Sequence, residues 1–334
     1  MGWLKGLLAG LVIVASANAA SADVLSSIDS IKQAIRNYTA IAEPEATAEQ
    51  FRNYGLFPPE KIDSSKPLVV LIHGVDMTRT DLNPMASRLT AAGLQVACFC
   101  YPEDQPIADD VQFLHDRISA IRSDHARLKI NIVSFSMGGL VARGYVEGDL
   151  YDGNVDRLIL IAPPNHGSSW AYLEWAAKVR EQAYLMQYDP HWKPTWFITS
   201  GLCEAGRDMQ PDSQFLTDLN KLPRRAGVRY TIIEGDQHIV QRIGGNAVDA
   251  AAKAIPKPVA DTDAGQLFGA VLKLGSDTIK APHVDSDGPV SLESAQLDGV
   301  TDVVTVHADH EAMIDDDVAN PPASWETVHD RLAK

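Results

Sequence analysis

The sequence predicts an α/β protein with a mostly parallel central sheet and helices on both of its faces. Two observations carry that prediction. Short uninterrupted apolar runs such as Leu68–Ile72 (LVVLI) recur along the chain, without the alternation of a strand that keeps one face wet. Between them lie segments whose apolar residues return every three or four positions, as at Ile107, Val111, Leu114, Ile118 and Ile121. Strands alternating with helices in this way form parallel sheets covered on both sides.

In chain order, Val24 to about Ile41 reads as an amphipathic helix with Ile28, Ile31 and Ile35 on one face. Leu68–Ile72 is the first buried strand. A helix opens near Asp81-Leu82-Asn83-Pro84, where a capping residue and a proline suit a first turn. Leu94–Cys100 is the second strand, followed by the core-facing helix that carries Ile107 to Ile121. Ile130–Val133 is a third strand, and a helix begins at Met137 and runs to about Glu147. Val155–Ile161, Val228–Glu234 and Asp302–His307 are further strands. The rhythm breaks between about Ser168 and Arg225. This stretch holds Trp170, Tyr172, Trp175 and Tyr184 and a second aromatic patch from His191 to Phe197, and it is expected to form a helical cap or lid. A second irregular stretch runs from about Val259 to Ser291.

At 334 residues the chain is long enough for one large domain with insertions. Its net charge of -15 excludes nucleic acid as a partner, because phosphate neutralisation needs clustered Lys and Arg. The N-terminus has the pattern of a secretory signal peptide over residues 1–22. Lys5 precedes an apolar run from Gly6 to about Ala15, and small residues follow with cleavage frames after Ala19 or Ala22. The remaining residues, 23–334, then form the exported domain, in the periplasm or outside the cell. Of the three cysteines, Cys98 and Cys100 share one face of a strand. Either could pair with Cys203, or all three could be small buried hydrophobes.

The segment Asn131-Ile132-Val133-Ser134-Phe135-Ser136-Met137-Gly138-Gly139 runs from a strand through a tight turn into a helix. It resembles the nucleophile elbow G-x-S-x-G of the α/β-hydrolase superfamily, with Ser134 in place of the first glycine. Leu71-Ile72-His73-Gly74-Val75 is similar to the H-G element that follows the first central strand in that superfamily. Leu160 to Ser168 (LIAPPNHGS) and Asp208 to Asn220 further resemble secreted bacterial triacylglycerol lipases and related acyltransferase-like lipases. The resemblance implies an α/β-hydrolase fold with Ser136 as nucleophile. It also implies an oxyanion hole formed by the backbone N–H groups of Val75 and Met137. His73 and His166 are read as structural or pocket-lining residues.

A serine nucleophile needs a histidine base and a carboxylate that fixes the base's tautomer. His310, just past the last strand in Val306-His307-Ala308-Asp309-His310, matches the family's histidine loop, and His307 is the fallback. Asp287 in Asp285-Ser286-Asp287-Gly288-Pro289-Val290 is similar to the D-G-x-V element that carries the acid. Asp236, just beyond a strand, is the alternative acid, and Asp285 ranks third. No resident cofactor is expected. A structural calcium ion at Asp285/Asp287 or Asp315-Asp316-Asp317 stays open, although an Asp run equally reads as a solvated turn.

The expected function is an exported serine hydrolase that cleaves carboxylic esters of lipidic or acyl-chain substrates through an acyl-enzyme. It would act as a monomer, with transient contact at a lipid interface. Thioester, amide or polyester cleavage on the same constellation is the alternative, and a catalytically inactive binding protein is the rival of another class.

Overall fold

The computed structural model describes residues 51–168, 170–171, 204–237, 285–315 and 320–333. The expected signal segment, the helix of residues 24–41, Cys203, Asp316, Asp317, most of the cap aromatics and most of the irregular stretch before Ser291 lie outside these residues.

Seven strands form one sheet: β1 (Gly55–Phe57), β2 (Leu68–Ile72), β3 (Gln95–Cys100), β4 (Ile130–Phe135), β5 (Val155–Ile161), β6 (Arg229–Gly235) and β7 (Val303–Val306). Their order is β1-β3-β2-β4-β5-β6-β7, with β1 antiparallel to β3 and every other pair parallel. The helices are α1 (Asn83–Ala91), α2 (Ile107–Asp124), α3 (Met137–Glu147), α4 (Glu204–Asp208), α5 (Gln214–Lys221), α6 (Leu292–Ala295) and α7 (Trp325–Leu332). Each strand expected from sequence is present with small shifts at its ends. The short edge strand β1 and helix α7 were not foreseen.

The apolar run of β2 divides between two cores. Leu68, Val70 and Ile72 join Leu114 and Ile118 of α2 and Leu140 and Val141 of α3. Val69 and Leu71 face the other way, onto Met85 and Leu89 of α1 and Val328 of α7. Both faces are dry, so the run needs no polar alternation.

Helix α1 starts where expected but not by the expected device. Its N-cap position is Leu82, without a side-chain cap, and Pro84 sits in the first turn. The Asp81 carboxylate instead accepts from Thr78 N–H at 2.6 Å and Thr78 Oγ at 2.9 Å, closing the preceding turn. Helix α2 is capped from a distant segment: the Asp208 carboxylate, at the end of α4, accepts from Ile107 N–H at 3.0 Å. Burial pushes that carboxyl up to about 6.

Helices α4 and α5 fall in the last part of the expected cap. Ala205, Met209, Leu216 and Leu219 from this part are buried in the core shared with α2 and α3. Cys98 and Cys100 are both unbridged, and burial raises both thiols, Cys100 to about 11. Among the described residues no helix is long and apolar enough to cross a membrane.

Candidate active site

The strand registers bring the carboxyl ends of β2, β4, β5, β6 and β7 to one rim of the sheet. Ile72 pairs with Ser134, Phe135 with Ile161, Ile161 with Ile233 and Gly235 with Val306. In open parallel sheets this rim is where reacting groups gather.

Ser136 lies between β4 and α3 with φ 52° and ψ -127°, a conformation costly for any residue with a side chain. Neighbouring backbone holds it there: Ser136 N–H donates to Ile161 O at 2.8 Å, and Gly139 N–H to Ser136 O at 2.8 Å. The tight turn requires Gly138, because a Cβ at that position would press into the carbonyl oxygens of His73 and Ile72. Gly74 meets the same demand from the other side, since a Cβ there would stand 2.9 Å from the Ser136 Cβ. The departure at Ser134 is accommodated. Its side chain is fully buried and its hydroxyl donates to Ile159 O at 3.3 Å.

His310, in the loop after β7, stands against Ser136, with its Nε2 2.9 Å from Ser136 Oγ. Its Nδ1 is 2.7 Å from Asp287 Oδ2. The carboxylate can only accept, so Nδ1 carries the proton and Nε2 is left to accept from the serine hydroxyl. Asp287 is 1% exposed, and its second oxygen, Oδ1, accepts from Val290 N–H at 2.9 Å. His310 N–H donates to Asp287 O at 3.0 Å, so the two loops are also joined through backbone. The ring of Phe135 leans on the imidazole at 4.7 Å. Gly235 allows the acid loop to approach the end of β6, where a Cβ would meet Asp287 Cβ at 2.8 Å and Ala308 O at 2.5 Å.

The alternative residues form a separate pair. Asp236 Oδ1 lies 2.8 Å from His307 Nδ1 in an exposed position, and neither is directed at Ser136. Asp285 is exposed, and its carbonyl accepts from Leu292 N–H at 2.8 Å. Both oxygens of Asp287 are engaged, Oδ2 by His310 and Oδ1 by Val290. Among the described residues no group of His, Cys, Asp and Glu converges as a metal site.

Met137 opens α3 directly after Ser136, and Val75 follows Gly74 in the loop that packs on Ser136. His73 braces that loop. Its Nδ1–H donates to Gly74 O at 2.7 Å and its Nε2 accepts from Tyr101 N–H at 3.3 Å. The ring stacks on Tyr101 at 4.4 Å, and Tyr101 O–H donates to His73 O at 2.8 Å. Burial lowers His73 to about 4, so it is neutral at ordinary pH and serves as a scaffold.

Residues Asn165 to Ser168 stitch three loops together. Asn165 Nδ2 donates to Ala295 O at 2.7 Å, Ser294 Oγ donates to Gly167 O at 2.5 Å, and Ser168 Oγ donates to Pro289 O at 2.8 Å. His166 itself is exposed, and its backbone N–H donates to Ser294 O at 3.0 Å. Asn165 Oδ1 also accepts from the fully buried Arg143 at 3.0 Å, and Arg143 reaches Asn220 Oδ1 at 2.9 Å and pairs with Glu147 at 3.1 Å. The sequence reading missed this buried network. The only trace of it was an Arg and a Glu four apart on a helix otherwise made of small and apolar residues.

A sheet of this order, with a serine on a strained strand-to-helix turn and a histidine and a buried carboxylate in line behind it, is the arrangement of the α/β-hydrolase fold. The chain has the α/β-hydrolase fold and is similar to known hydrolases over part or most of its length. Residues 68–232 match the family model described as palmitoyl protein thioesterase. Among solved structures, the chain is similar to the Bacillus licheniformis lipase BlEst2. Against the mature form the TM-score is 0.54 and the identity 19%, over 83% of this chain and 97% of that one. Against the propeptide form the values are 0.54 and 20%, over 84% of this chain and 53% of that one. At this identity the likeness is one of fold. A search of curated proteins finds none that matches.

Proposed function

We propose that this protein is an exported serine hydrolase that cleaves carboxylic esters of lipidic or acyl-chain substrates, with Ser136 as nucleophile, His310 as base and Asp287 as acid. The reading rests on one observation, the hydrogen-bonded row from Ser136 Oγ through the His310 ring to Asp287. His310 Nε2 takes the serine proton as Oγ attacks the acyl carbon. The N–H groups of Val75 and Met137 stabilise the oxyanion. Collapse of the tetrahedral adduct breaks the bond to the leaving alcohol, which receives that proton from His310. Water, deprotonated by His310, then attacks the acyl-enzyme, releasing the acid and restoring Ser136.

The match over residues 68–232 favours a second reading, thioester cleavage by the same steps with a thiol as leaving group. The test is hydrolysis of p-nitrophenyl esters, triglyceride emulsion and an acyl thioester by the wild type and Ser136→Ala. The variant is expected to fold and to lose both turnover and fluorophosphonate labelling. Retained turnover, or labelling at another serine, refutes the assignment. Comparing the three substrates separates esterase, lipase and thioesterase. The proposal includes a monomeric protein in the periplasm or outside the cell. N-terminal sequencing after export tests cleavage behind Ala19 or Ala22, and liposome flotation tests contact with a lipid surface.

A further inference from the structure

At the end of the sheet opposite Ser136, where β5 and β6 begin, there is a cavity. Its volume is about 380 Å³, and its lining includes Arg157, Arg224, Arg225 and Arg229. The chain as a whole carries a net charge of -15, whereas this cavity is lined by four arginines and one acid, Asp302.

Arg157 and Arg229 are register partners on adjacent parallel strands, so their side chains leave the sheet on the same face, side by side. Like charges at paired positions repel, and a sheet gains nothing from placing them there. Burial, then Arg229, then Arg331 all act to lower the Arg157 guanidinium. Asp156 and Asp302 act the other way but more weakly, and each is engaged elsewhere. Asp302 is taken by Arg331 through two contacts of 2.7 Å and by Thr231 at 2.7 Å, and Asp156 is taken by Lys129 at 3.1 Å. Arg157 is 6% exposed, yet among the described residues its guanidinium has no hydrogen-bonded or salt-bridged partner. Arg224 turns Nη2 to Glu147 at 3.2 Å, while its Nη1 is buried with no partner among the described residues. Arg225 spends its guanidinium on the carbonyls of Val146, Glu147 and Gly148, neutral acceptors that leave its charge uncompensated.

A guanidinium nitrogen buried without an acceptor, as Arg224 Nη1 is, costs free energy until an acceptor arrives. Guanidinium forks match the tetrahedral oxygens of phosphate better than any other common ligand group. We infer that this cavity is an anion site, separate from the Ser136 centre, that binds a phosphate-bearing ligand through Arg157, Arg224 and Arg229. The phosphate belongs to a soluble ester or to a lipid headgroup, and the two sources differ in whether a vesicle is needed.

The experiment is calorimetric titration with inorganic phosphate and pyrophosphate at fixed ionic strength, alongside sedimentation with phosphatidylcholine vesicles with and without phosphatidic acid. The proteins are the wild type, Arg229→Gln and Arg117→Gln. Arg229 and Arg117 are both exposed, so each variant is expected to fold, and the second controls for the lost charge. Wild type and Arg117→Gln are expected to bind saturably, with Arg229→Gln weaker by about tenfold or more. Binding of the soluble anions identifies a free phosphate ester. Binding only to vesicles that contain phosphatidic acid identifies a headgroup. The inference is overturned by no saturable binding in either arm, or by binding that Arg229→Gln leaves unchanged or Arg117→Gln weakens equally.

Discussion

Asp287→Asn isolates the role of the proposed acid, and the surrounding hydrogen bonds fix how the new amide must sit. In the native site Oδ1 accepts from Val290 N–H at 2.9 Å and Oδ2 accepts from His310 Nδ1–H at 2.7 Å. An asparagine in the same place keeps its oxygen toward Val290, since that partner only donates, and so turns its NH2 toward His310 Nδ1. Nδ1 must then accept, which moves the imidazole proton to Nε2 and points N–H at the serine hydroxyl. Ser136 loses its base while every heavy atom stays within reach of its native position. Inverting the tautomer in this way lowers kcat by about 10,000-fold, or about 5 kcal/mol of barrier. The assay is single-turnover acylation with a chromogenic ester, with fluorescence melting to show an intact fold. Asp236→Asn is the control, because that carboxylate bonds the exposed His307 instead, and it is expected to stay within about threefold of wild type. Activity of Asp287→Asn within tenfold of wild type, or an equal loss in Asp236→Asn, refutes the reasoning.

Gly138→Ala forces a methyl against the His73 and Ile72 carbonyls, and it is expected to cost about 1–3 kcal/mol in a melt and more than tenfold in kcat. Arg143→Met strips a fully buried partner from Glu147, Asn165 and Asn220; unfolding in urea is expected to show a loss of about 3–5 kcal/mol. Its kcat is expected to fall as well, because Asn165 also holds the acid loop through Ala295. Asp208→Asn keeps the acceptor for Ile107 N–H while removing a carboxyl raised by burial from 3.8 to about 6. The folded state binds the extra proton in that window, so the native carboxyl's contribution is full below about 3.8 and lost as pH rises through about 6. The variant is therefore expected to gain on wild type between pH 4 and 7. Solvent screening and the N-terminal dipole of α2 hold the gain to about 1–2 kcal/mol, read as a pH series of melting temperatures.

The parts of the site visible in the sequence are those in which chemistry and geometry share one short segment. Ser136 was legible because the strand, the turn and the helix that create its strained backbone lie within a dozen residues. His310 and Asp287 were found by their resemblance to loop motifs. Which carboxylate reaches which ring is a matter of space: Asp287 meets His310 and Asp236 meets His307. What stayed hidden is non-local. Asp208 caps α2 across 101 residues, and Arg143 meets Asn220 across 77. No periodicity encodes contacts at that separation. The alternation of helices and strands was readable because each element satisfies its own hydrogen bonds or buries its own stripe. Edge strand β1 escaped because three half-buried residues carry no pattern.

The order in which the rim is assembled has a consequence for timing. β6 pairs with β7 through Ile232 and Val303, and His310 lies just beyond β7, so the proposed base enters only when the final strand docks. A chain synthesised through β6 holds the serine turn and the loop behind β2 but neither base nor acid. Pairings between residues far apart in sequence form late in folding. If the proposed triad holds, reactivity is coupled to completion: a nascent or partly threaded chain is expected to be silent toward acyl groups around it until one short strand docks.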